Sequence, residues 1–123
     1  MTNREQNTEM WSGDDVVLPF VIVDEENAPD PLSNFTAFTY AVRDKAGGTL
    51  LFPAKVYPGP SIILDDLPGG RLHVLIASAD TATVAIVGGV QDFHQELEGV
   101  RTGGLHKTLC EGVYRLHKSI AGV

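Results

Sequence analysis

The chain has 123 residues, 43% of them hydrophobic, with one cysteine and a formal net charge of −7. That length is one domain's worth, and its core needs no structural metal to hold it. A lone Cys110 excludes an intrachain disulfide and fits a reducing compartment. The acidic balance argues against a nucleic-acid partner, because phosphate affinity comes from clustered Lys and Arg. No stretch approaches the ~20 apolar residues of a membrane-spanning helix, and MTNREQNTEM lacks the apolar core of a secretory signal, so a soluble, unsecreted chain is expected.

The charge is unevenly placed. Residues 1–30 carry eight acids and one base, so the whole excess lies at the front. Residues 1–12 are expected to form an irregular arm, with Trp11 packed on the domain or on a partner, and residues 13–123 a single domain. The first strand is expected over Asp15–Val23. Its next turn, Asp24–Pro31, is crowded with Asp, Glu, Asn and Pro, which favour turns over strands. Phe35–Arg43 alternates, with Phe38, Tyr40 and Val42 as the core-facing set and Ala37, Thr39 and Ala41 opposite. A third strand is expected over Thr49–Val56 and a short fourth over Ser61–Leu64. Asp65–Gly70 is a strong turn, since Pro presets φ and Gly supplies φ > 0.

Arg71–Ala77 reads as a strand with Leu72, Val74 and Ile76 inward. Ser78–Thr83 has the look of one helical turn capped by the Ser78 hydroxyl. Val90–Val100 is a long strand that places Phe93, Gln95 and Leu97 on one face. A hairpin at Thr102–Gly104 leads into Leu105–His117, where Tyr114 and Leu116 point inward and Gly112 marks a bulge or a close approach. About seven short antiparallel strands at turn spacings of roughly 8–12 residues predict an all-β, immunoglobulin-like β-sandwich.

No catalytic constellation stands out. His73, His94, His106 and His117 show no metal-ligand spacing, and His94 and His106 are expected as cross-strand neighbours on a polar face. The acid pairs Asp14-Asp15 and Asp65-Asp66 lack the spaced loop of a calcium hand. Cys110 has no nucleophile signature around it and is expected to pack as a small apolar residue. Asn34-Phe35-Thr36 is a chance glycosylation sequon. No cofactor and no metal are expected, and the chain is expected not to be an enzyme.

Strand one carries the assembly signal. Val16, Leu18, Phe20 and Ile22 lie on one face, and Val17, Val21 and Val23 on the other. A sandwich buries only one face of each sheet. Pro19 lacks an N–H and favours an edge strand. An edge strand apolar on both sides needs a cover, either the arm with Trp11 or a neighbouring subunit. Trp11, Val17, Pro19, Val21 and Val23 are therefore the candidate assembly contacts. Removing residues 1–12 is expected to impair assembly more than the sandwich.

The order of motifs also resembles a known family. Gly13-Asp14-Asp15 opens an apolar strand, and Pro31-Leu32-Ser33 precedes one ending Val42-Arg43-Asp44. Gly47-Gly48-Thr49-Leu50-Leu51, Ala79-Asp80-Thr81, the strand Phe93–Glu98, Gly103-Gly104, Thr108-Leu109 and Gly112 follow. This resembles the immunoglobulin-like β-sandwich structural proteins of tailed bacteriophages, in particular the N-terminal domain of the phage baseplate upper protein. Phe93-His94-Gln95 departs from the aromatic pair usual in the penultimate strand, and Val87-Gly88-Gly89 departs from the usual Pro-Gly before it. The resemblance implies a virion structural protein in the tail, baseplate, neck or fibre-attachment region. Its partners would be other virion proteins and further copies of itself, with neither nucleic acid nor membrane, and its locations the virion and, during assembly, the host cytoplasm. A capsid decoration protein, or a carbohydrate-binding adhesion module, is the alternative.

Overall fold

The computed structural model describes residues 5–118. Its strands are β1 (Thr8–Trp11), β2 (Val16–Val21), β3 (Phe35–Arg43), β4 (Lys55–Tyr57), β5 (Ile62–Asp66), β6 (Arg71–Ile76), β7 (Val90–Arg101) and β8 (His106–His117), with one helical turn α1 (Ser78–Thr81) between β6 and β7. They form a five-stranded sheet in the order β1-β8-β7-β3-β4 and a three-stranded sheet in the order β2-β6-β5. Two sheets with this connectivity make the sandwich of immunoglobulin domains, with an added strand beside β3 as in the variable type.

The alternating sequence pattern becomes the core. Phe38, Tyr40 and Val42 of β3, Leu72, Val74 and Ile76 of β6, and Tyr114 and Leu116 of β8 are all buried between the sheets. Leu18, Phe20 and Ile22 meet them from the β2 side. Burying a large apolar side chain contributes about 1.5–3 kcal/mol, so this inner layer is the main source of stability.

The front segment differs from the expected irregular arm. Thr8–Trp11 is a strand that pairs parallel with β8, from Thr8 opposite Tyr114 to Trp11 opposite His117. Met10 is buried, and its sulfur takes the Tyr114 hydroxyl at 2.5 Å. Gln95, on the inner face of β7, accepts the Tyr40 hydroxyl at 2.6 Å and donates its amide to the Gln6 carbonyl at 2.6 Å. Burial, then the neighbouring Tyr114, raises the Tyr40 pKa well above its ordinary value, and burial chiefly raises that of Tyr114. The segment is thus tied to the core by backbone, thioether and amide together.

Gly112 is where β1 and β8 come close. A Cβ there would stand 2.1 Å from the Gln6 carbonyl oxygen. The β-bulge lies elsewhere, at Leu109, between the pairs Leu97–Cys110 and Glu98–Thr108. The two histidines expected to be neighbours lie far apart along the hairpin, because its turn at residues 102–105 sets His94 opposite Val113 and His106 opposite Val100.

The third strand is shorter than expected. Only Lys55–Tyr57 pairs along β3, while Leu50 makes a single bridge to Arg43. Phe52 is buried, and Pro53 has no N–H for a ladder, so the chain dips to the core instead of continuing the sheet. At α1 the cap is also different. The Asp80 carboxylate, not the Ser78 hydroxyl, closes the turn by accepting the Ala77 N–H at 2.8 Å. The Ser78 N–H donates to Asp15 at 2.7 Å.

Candidate functional site

The front-loaded acids turn out to be partly structural. Asp24 Oδ1 accepts the N–H groups of Glu26 and Ala28 at 2.8 and 3.0 Å. Asp44 does the same for Thr49 and Asp66 for Gly69. Each locks its own turn, the local use to which Asp is suited. Asp30 is buried and takes Arg101 at 3.0 Å and Asn34 at 2.9 Å, pinning the acidic turn to the β7–β8 hairpin. Cys110 is buried beside the bulge.

All four histidines face carboxylates. His73 lies 2.7 Å from Asp65, His106 3.0 Å from Glu98, His117 2.5 Å from Glu9, and His94 3.9 Å from Glu96. These pairs are spread over both sheets and converge on no shared cleft.

The exposed apolar side chains are more telling. On β2 the outward residues are Val17, Pro19 and Val21, and Val17 is 58% and Val21 45% exposed. Their register partners on β6 are Leu75, His73 and Arg71. Ile63 of β5, opposite His73, is 40% exposed. Together they give the outer face of the three-stranded sheet an apolar row, Val17, Pro19 and Val21, joined by Leu75, with Ile63 on the far side of the central His73 and with Arg71 and Asp65 nearby. Beside Val17 and Leu75 the strip opens into a shallow depression of about 450 Å³, also bounded by Lys55 and Pro60. The Lys55–Asp80 ion pair, 2.7 Å long, stiffens its wall.

The expected contact residues therefore divide. Val17, Pro19 and Val21 share this strip. Val23 lies outside β2, in a single bridge to Pro29 across the acidic turn. Trp11 belongs to the other sheet, where its ring stacks on His117 at 4.4 Å and 15°. It does not cover strand β2. What the front segment does supply to β2 is Gln6, whose amide donates to the Pro19 carbonyl at 2.8 Å. With no N–H on Pro19 and its carbonyl already taken, the middle of the β2 edge is closed to another strand. Ile63 and Leu75 were not among the expected contacts because their place beside the β2 row depends on how β5 and β6 pair with it.

No family model matches the chain, and no curated protein matches it. Two of the solved structures it is matched to are enzymes. One is a Photobacterium sp. JT-ISH-224 2,6-sialyltransferase, at 13% identity and a TM-score of 0.35; the alignment covers 96% of this chain and 18% of that one. The other is a family 123 glycoside hydrolase from Clostridium perfringens, at 9% identity and a TM-score of 0.36, covering 94% of this chain and 23% of that one. The chain spans less than a quarter of either enzyme. Likenesses at this level carry no argument about activity.

Proposed function

We propose that this chain is a non-enzymatic structural protein of a tailed-phage virion, working as a docking module of the tail, baseplate, neck or fibre-attachment region. The observation that carries the docking role is the exposed row Val17-Pro19-Val21, extended by Leu75 and Ile63 on a rigid sheet face. An exposed apolar row of this kind, even with His73 set between Pro19 and Ile63, suits an interaction surface. The occupant we assign to it is a second copy of the chain. The strip carries charges of both signs at its rim, Arg71 and Asp65, so a two-fold pairing can set each against the other. Because the β2 edge is closed at Pro19, the copies would meet face to face. The virion setting rests on the sequence resemblance to phage sandwich proteins.

A glycan-binding module is the less favoured reading. Among the described residues Trp11 is the one exposed aromatic, and its ring is already stacked on His117. Tyr114 is fully buried, and Tyr57 packs against the core. No platform of exposed rings is left for a sugar. Immunogold electron microscopy with antibodies to the chain tests the virion setting. Label at one symmetric position on particles is expected; label on the outer shell moves the protein to capsid decoration, and unlabelled particles overturn the proposal.

A further inference from the structure

The outward face of the five-stranded sheet is laid out in cross-strand rows. In one row Glu9, Arg115 and Asp92 lie side by side on β1, β8 and β7. Arg115 is the built-in cation between two acids, bonding Asp92 at 2.7 and 3.1 Å. Those bonds hold the Asp92 carboxyl below its ordinary pKa. Four residues earlier along β8 the same pattern recurs with its centre inverted. Glu5, Glu111 and Glu96 are in register there, and the central position is itself an acid. Like charges directly opposite on adjacent strands are destabilising. His94, two residues before Glu96 on the same face of β7, overlooks this pair. Ligand atoms of His94, Glu96 and Glu111 all lie within 4.8 Å of one another. Among the described residues Glu111 has no hydrogen-bonding or ion-pairing partner for its carboxylate, and Glu96 Oε2 lies 3.9 Å from His94 Nε2.

We propose that His94, Glu96 and Glu111 bind a divalent cation of the zinc class, which takes in this row the place that Arg115 takes in the other. The donor set is one imidazole nitrogen and two carboxylates, a combination that suits zinc. Ligands at ~2.1 Å from a tetrahedral ion stand roughly 3.4 Å apart, so the three groups must close by about an ångström, which the Glu side chains can do by rotation. Two ligands come from positions i and i+2 of one strand and the third from its register partner, so the backbone spacing is fixed by the β7–β8 ladder. The remaining coordination positions face outward and take water. The ion would neutralise the opposed carboxylates and clamp β7 to β8 by mass action. This site is separate from the apolar strip, which lies on the other sheet.

The test uses the full chain, stripped with a chelator and titrated with zinc chloride by calorimetry, with thermal unfolding read in parallel. One saturable equivalent and a rise in Tm that the chelator reverses are expected. His94→Ala and Glu111→Gln should each weaken uptake by more than the roughly 10–100-fold that a residue merely orienting a ligand is worth. His73→Ala and Glu98→Gln should leave uptake unchanged. Glu111→Gln sits on an exposed position, so it keeps the fold and should raise the zinc-free Tm by relieving the repulsion. Absent or non-saturable uptake overturns the proposal, as does uptake unaffected by Glu111→Gln or lost equally in His73→Ala.

Discussion

The two sheets differ in how polar and apolar groups are arranged on their outer faces. The five-stranded sheet turns outward many polar pairs, Arg115 with Asp92, His117 with Glu9 and His106 with Glu98, and among them the exposed apolar Val56, Val90 and Val113 lie apart on β4, β7 and β8. The three-stranded sheet turns outward Val17, Pro19, Val21 and Ile63, with a single outward pair, His73 with Asp65. Both inner faces are equally buried, so stability does not distinguish them. The difference lies in what each outer face can gain. Mutually paired polar groups gain little from a partner, whereas exposed apolar groups gain about 25 cal/mol for each Å² removed from water. This difference is why the proposed docking face is placed on the small sheet, where Val17, Pro19 and Val21 follow one another along a single strand.

The largest expected effect sharpens the role of the front strand. Gly112→Val places side-chain atoms where the Gln6 carbonyl lies, so β1 must leave β8 and take Met10 out of the core. A loss of about 2–5 kcal/mol is expected, the range for emptying a buried Met site, measured by urea unfolding. Next is Tyr40→Phe. It removes the hydroxyl from a buried Gln95 acceptor and should cost about 1–3 kcal/mol. If it costs nothing, the amide network does not anchor the front segment.

A smaller, pH-dependent effect involves the same tyrosines. Both are raised above the ordinary value near ~10. Above that pH the unfolded chain sheds tyrosine protons that the folded chain retains, so the unfolded state binds fewer protons. Stability should therefore be complete below about pH 10 and fall beyond it, by up to roughly 1.4 kcal/mol per pH unit for each tyrosine. Denaturant midpoints followed into the alkaline range check this, and Tyr40→Phe should flatten the slope. The smallest stability effect is expected on the docking strip. Val17→Glu with Val21→Glu changes exposed positions only and should alter folding by within about 0.5 kcal/mol per site, yet abolish association.

Much of the sandwich was legible in the sequence because alternation is a local signal. The inward sets of β3, β6, β7 and β8, the edge position of Pro19 and the close approach at Gly112 all follow from residue type and period. What was not legible depends on pairing between distant strands. TEMW has too few residues to announce a strand, and β1 exists because β8 offers it an edge and a pocket for Met10. With Met10 in the core, removing residues 1–12 should unsettle the sandwich itself, contrary to the expectation from sequence. The Leu109 bulge shifts register by one, which no composition reveals, and the position of the hairpin turn sets His94 opposite Val113 and away from His106. The apolar strip was half visible: Val17, Pro19 and Val21 could be read along one strand, but Ile63 and Leu75 join them only across the sheet.

Sedimentation equilibrium of the wild-type chain against Val17→Glu/Val21→Glu tests the docking face most directly. Concentration-dependent self-association of the wild type is expected, with a monomeric double variant whose Tm is essentially unchanged. A wild type that stays monomeric to its solubility limit, or a double variant that associates as the wild type does, would contradict the assignment of the β2-β6-β5 face as the contact between copies.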